Sequence, residues 1–128
     1  MAQPILISMI ESPAHPKFSS LYNQLGIKEI QLTSQRKTIS KLKSVQPDFV
    51  VAEFFYGYGN NYAGVNISNL DVLLYSLQKY SRDTKIIVIV DKAEAQYVDK
   101  LNDILPLYSV LTHPVTKQQM QATLETVV

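Results

Sequence analysis

The sequence predicts an α/β fold: a three-layer (βα)5 sandwich with a five-stranded parallel sheet between two layers of helices, built as a single domain over residues 1–128. Two observations predict it. Five apolar runs alternate along the chain with five segments of helical periodicity, and strands separated by helices of this length pair in parallel through right-handed crossovers. The run Phe49-Val50-Val51-Ala52, entered at Pro47 and Asp48, is apolar at every position. That is the pattern of a strand covered on both faces. It ends on a carboxylate, Glu53. Chemistry in open α/β sheets collects at the carboxyl ends of the strands, so Glu53 is a candidate site residue on position alone.

Residues 5–10 form the first strand. A helix follows over 16–25, with Phe18, Leu21, Tyr22 and Leu25 at i, i+3, i+4 and i+7. Gly26 stands just past it, where a left-handed residue closes a helix. Residues 28–33 make a short second strand. The next helix, over 35–45, turns Ile39, Leu42 and Val45 inward and Arg36, Lys37, Lys41 and Lys43 largely outward. The third strand covers 49–54. A long segment, 55–68, then interrupts the rhythm before a helix over 70–80 with Leu70, Leu73, Leu74 and Leu77 as its apolar stripe.

The fourth strand, 85–90, is β-branched throughout its Ile86-Ile87-Val88-Ile89-Val90 run. A helix over 91–105 opens with Asp91-x-x-Glu94, the spacing of a capping box, which makes Asp91 a helix cap rather than a site acid. Residues 109–111 form a brief last strand, and Thr116-x-x-Gln119 caps a final helix to about residue 127. No internal repeat, low-complexity tract or linker interrupts this order.

Composition narrows the function. Twelve basic and eleven acidic residues leave a net charge of +1, too little for the concentrated basic surface that phosphate-backbone binding needs, so no nucleic-acid partner is expected. The absence of cysteine removes disulfides, thiolate nucleophiles and Cys-based metal sites. The longest apolar runs fall far short of the ~20 residues of a membrane span. The start Met1-Ala2-Gln3-Pro4 lacks the basic region of a secretory signal. The expectation is a cytoplasmic domain with no membrane insertion.

Three anchors carry a family resemblance. The stretch from Pro47 to Glu53 is similar to the third strand of response-regulator receiver domains, whose last residue is the phospho-accepting Asp. Lys85–Val90 resembles their fourth strand, and Leu111-Thr112-His113-Pro114 resembles the Leu-Thr-Lys-Pro after their fifth. The resemblance implies a flavodoxin-like sheet of order 2-1-3-4-5, a cis bond at His113-Pro114, and a role in two-component signal transduction.

The departures define a degenerate phospho-acceptor site. The family places two acids after strand 1 to hold Mg²⁺, where Ser8-Met9-Ile10-Glu11 supplies Glu11 alone. Glu53 replaces the acceptor Asp, Val90 the switch Thr or Ser, His113 the phosphate-pairing Lys, and Val110 the switch aromatic. Phosphoryl transfer needs Mg²⁺ and fixed cations, and Mg²⁺ wants several oxygen ligands. A pseudo-receiver with no metal and no cofactor is expected. Glu53 either imitates an activated state, meeting His113, or is a strand-end acid bonded to nearby amides. His113 either titrates against Glu53 or replaces Lys in a hydrogen bond. His15 has no ligand set around it and reads as an exposed loop residue.

The loop after strand 3 is extended relative to receivers and concentrates Tyr56, Tyr58, Asn60, Asn61 and Tyr62 with three of the four glycines. It reads either as an interaction loop, tyrosine supplying rigid contact area with a polar tip, or as a lid over Glu53. Non-catalytic protein–protein contact is the leading function, with a homodimer through the fourth and fifth strand–helix units as one form of it. A flavodoxin-like small-molecule or nucleotide binder using the loop edge near Glu53 is the alternative, although Glu11-Ser12-Pro13-Ala14-His15-Pro16 stands where a Gly-rich phosphate loop would be. An enzyme is not expected: no serine elbow or metal motif is present, and Glu11 with Glu53 is only a geometric pair.

Overall fold

The computed structural model describes residues 3–10, 18–54 and 70–125. Five strands, β1 (Ile5–Met9), β2 (Lys28–Leu32), β3 (Phe49–Glu53), β4 (Lys85–Val90) and β5 (Ser109–Thr112), form one parallel sheet of order β2-β1-β3-β4-β5. The helices are α1 (Ser19–Gln24), α2 (Gln35–Leu42), α3 (Asp71–Tyr80), α4 (Ala95–Val98) and α5 (Lys117–Glu125). They cover both faces of the sheet, as the unbroken apolar runs require.

Strand alternation sorts the core into two halves. Val50 and Ala52 of β3 and Ile86, Val88 and Val90 of β4 point to the side of α2 and α3, where Leu42, Leu73, Leu74 and Leu77 meet them. Phe49 and Val51 of β3 and Ile87 and Ile89 of β4 point the other way, onto Leu21 and Tyr22 of α1 and Met120 and Leu124 of α5. Every residue of β3 is buried.

Polar ties fix the amino-terminal edge of the sheet. Asp48 accepts from the Ile5 amide at 2.9 Å, joining the entrances of β1 and β3. The Thr84 hydroxyl donates to the Pro47 carbonyl at 2.7 Å and, thus engaged, accepts from the Ser81 hydroxyl at 2.7 Å. The turn into β4 is thereby fastened to the turn into β3.

The sequence signals for helix ends hold at two places. Gly26 adopts φ +75°, the left-handed closure after α1. Ahead of α5, Thr116 Oγ1 accepts from the Gln119 amide at 3.1 Å while Gln119 Oε1 accepts from the Thr116 amide at 2.9 Å, a reciprocal capping box. Several ends differ by a residue or more: α1 begins at Ser19, with Pro16 and Lys17 outside the described residues, and α2 closes at Leu42 with Lys43 as its cap.

The single helix expected over 91–105 is replaced by a 3-10 turn (Lys92–Glu94), the one-turn α4, and a second 3-10 turn (Asp99–Asp103). The Asp91 side chain makes no capping bond. The Glu94 amide closes a tight turn onto the Asp91 main-chain carbonyl at 2.9 Å instead, leaving the carboxylate without that donor. Farther on, Asn102 donates to the Asp99 carbonyl and accepts from the Leu107 amide at 2.9 Å. Such side-chain bonds compete with helical ones.

Leu74 is fully buried between α3 and the sheet. Leu74→Ala should cost about 2–5 kcal/mol, read as a lowered urea midpoint with an unchanged slope; a loss under about 1 kcal/mol would mean this half of the core is loosely packed.

Candidate functional site at the carboxyl edge of the sheet

The carboxyl ends of β3, β4 and β5 lie side by side. Glu53 closes β3 in register with Ile89 and is only 4% exposed. The next amide, Phe54, donates to the Ile89 carbonyl at 2.9 Å, so pairing continues past Glu53 and fixes its backbone. Val90 closes β4 opposite Thr112, and the His113 amide donates to the Val90 carbonyl at 2.9 Å. That bond carries the β4–β5 ladder one residue past β5 and positions the half-buried His113 beside the end of β4. The His113-Pro114 peptide is cis, as the resemblance implies.

The edge therefore brings Glu53, Val90 and His113 onto three adjacent strand ends. Val90 is 1% exposed, and its side chain belongs to the core beneath α3. It offers a ligand at this edge neither a hydroxyl nor a surface. Val110 is 42% exposed on β5. Glu11, His15, Tyr56, Tyr58, Asn60, Asn61 and Tyr62 lie outside the described residues. Among the described residues no group of three or more His, Asp or Glu side chains stands close enough to hold a metal ion. Glu53 brings a buried carboxylate and His113 an imidazole to this edge.

A second polar constellation escaped the sequence reading. On the α1 side of the sheet, Glu29 of β2 accepts from the Ser8 hydroxyl and from the Ser19 hydroxyl, each at 2.7 Å, and from Gln31 Nε2 at 3.2 Å. Gln31 also donates to Ser19 Oγ at 2.9 Å. The signal in the sequence is faint: Glu29 and Gln31 are two apart on one strand and so share a face, and Ser8 is the polar break in the β1 run. Burial, with the nearby Glu29 carboxylate adding to it, pushes the Tyr22 hydroxyl well above its ordinary value of 10.0.

Comparison with known proteins places this geometry. No protein-family model and no curated protein matches the sequence. Solved structures do match its fold. A response regulator from Thermotoga maritima is 16% identical at a TM-score of 0.68, covering 98% of this chain and 97% of its own. The signal receiver domain of an HD domain-containing protein from Pseudomonas fluorescens Pf-5 is 13% identical at 0.72, covering 98% and 94%. A chemotaxis response regulator of Vibrio cholerae is 12% identical at 0.72, covering 99% and 100%. The chain has the receiver fold.

The Tyr22 environment sets a pH dependence. A hydroxyl that ionises later in the folded state than in the unfolded one stabilises the fold fully below the unfolded value, and that contribution is lost as pH rises beyond it. Stability should therefore fall above about pH 10, and Tyr22→Phe should flatten this alkaline limb. Parallel melting curves of the two proteins between neutral and strongly alkaline pH would disprove it.

Proposed function

We propose that this chain is a receiver-like signalling module that does not take up phosphoryl groups and acts, without catalysis, through contact with other proteins. The observation that carries the reading is Val90. The fold sets the end of β4 beside the acid that ends β3, where a receiver's hydroxyl would meet the phosphoryl oxygens. Here that position holds a side chain without a hydroxyl, buried in the core. A phosphoryl group on Glu53 would lack that partner. It would also face an imidazole at His113 in place of a lysine ammonium, and its charge would go without the cations that phosphoryl transfer relies on.

The tyrosine-rich stretch supports the second half of the reading. Tyrosine is enriched at binding hot spots, and loops longer than connection requires tend to carry function. Tyr56, Tyr58 and Tyr62 follow β3 directly in the chain, after the strand end where this fold class collects its ligands.

Treatment with acetyl phosphate and Mg²⁺ should leave the intact mass unchanged. A stoichiometric gain of one phosphoryl group that Glu53→Gln abolishes would overturn the proposal. For the contact surface, replacing Tyr58 and Tyr62 together by Ser should abolish capture of interacting protein in a pull-down and leave the melting temperature nearly unchanged, while Glu53→Gln should retain capture. Unfolding of the double variant would instead assign these tyrosines to the core.

A further inference from the structure

The solvent face of α2 carries charge of one sign only. Between Glu29 and Asp48 the chain carries no acid, yet Arg36, Lys37, Lys41 and Lys43 fall within two helical turns. All four are exposed, as are Ser40 between them and Ser44 just after, while Thr38 and Leu42 point to the core. Among the described residues none of the four side chains makes a hydrogen bond or an ion pair.

This arrangement works against the helix that bears it. The first turn of α2 holds no acid and instead places Arg36 and Lys37 at the positive end of the helix dipole. Lys37 and Lys41 are a like-charge i, i+4 pair, which also destabilises. Ser34 still caps the helix, accepting from the Lys37 amide at 3.2 Å, and the buried face holds it to the sheet. A face of cations that weakens its own element and finds no counter-charge among the described residues is shaped for an external anion. Where a sequence breaks a local rule of stability, function is the usual compensation.

We propose that the α2 face docks a short acidic segment of a protein partner. The extent of the charge selects this occupant. α2 is eight residues long, so its cations span only about 12 Å. The net charge of +1 becomes −3 once those four residues are set aside, so a duplex or a lipid plane larger than the helix meets repulsion at its margins. A membrane would further need apolar side chains to insert beside the cations, and the apolar stripe of α2 is turned into the core. A run of carboxylates as long as two helical turns matches both the sign and the size of the patch. The inference goes beyond the proposed signalling role and does not depend on the state of Glu53.

Fluorescence anisotropy with a labelled Glu/Ser peptide of that length, at low salt, tests it. The protein should bind this peptide and not its Gln/Ser counterpart. Combining Arg36→Gln, Lys37→Gln, Lys41→Gln and Lys43→Gln should weaken binding about tenfold, the sum expected of several exposed ion pairs. Equal binding by the quadruple variant, or tighter binding of duplex DNA or anionic vesicles than of the peptide, would overturn the assignment. Lys37→Glu gives a second readout, since it puts an acid in the first turn and an i, i+4 partner before Lys41. Its melting temperature should rise while peptide binding falls; a lower melting temperature would refute the claim that the face is kept at a cost to the helix. Phosphoryl uptake is measured separately, so failure here leaves the reading of Glu53 intact.

Discussion

The two-sided burial of β3 and β4 is the constraint on which the rest of this molecule depends. Of the eleven positions in these two strands, five in β3 and six in β4, only Lys85 falls short of burial. Such strands cannot sit at a sheet edge or face water, so β1 and β5 must flank them and helices must close both sides. Each buried Val, Ile or Leu contributes roughly 1.5–3 kcal/mol relative to exposure. A one-residue slip would exchange the two faces of the core and offer every side chain to the wrong helices. The register pairing Glu53 with Ile89 is accordingly fixed by packing, and with it the place where the carboxylate emerges.

The same constraint shapes what the carboxyl edge can do. Val90 is the last of the β-branched run and is drawn into the core with Val88 and Ile86. A hydroxyl there would have to be satisfied at the edge; a valine instead completes the packing beneath α3. His113 stands where it does because its amide, through the main chain, extends the β4–β5 ladder. The site residues are thus held by backbone pairing and core packing. These persist whatever chemistry the side chains perform or lack, so the fold does not depend on the reaction at its edge.

What the sequence disclosed follows the range of the forces involved. The sheet was legible because apolar alternation and continuous apolar runs act locally along each strand, and Gly26 and the Thr116–Gln119 cap are likewise settled within a few residues. The order β2-β1-β3-β4-β5 came through resemblance and holds. The break in the helix expected over 91–105 was not legible. Val98, Leu101 and Leu105 keep helical spacing, but hydrogen bonds of Asn102 to Asp99 and Leu107 decide the conformation. Glu29 was overlooked because its partners Ser8 and Ser19 come from other elements and meet only when α1 docks. At the site, the identities of Glu53, Val90 and His113 were readable, whereas the burial that gives Val90 its meaning was not.

The divided segment after β4 has a consequence for how the molecule comes apart. A four-residue α-helix between two 3-10 turns lies well below the length at which a helix sustains itself, since the first turn costs more than its few bonds return. Its order is lent by Val98 and Leu101, which insert among residues of β4 and α3. Structure between 92 and 103 is therefore conditional on the sheet beneath it, with little local cooperativity of its own. In native-state hydrogen exchange such a stretch opens at the low end of the free-energy scale, well before the strands that support it. Among the described residues, the flank of the sheet beside β5 thus depends on its neighbours for its order.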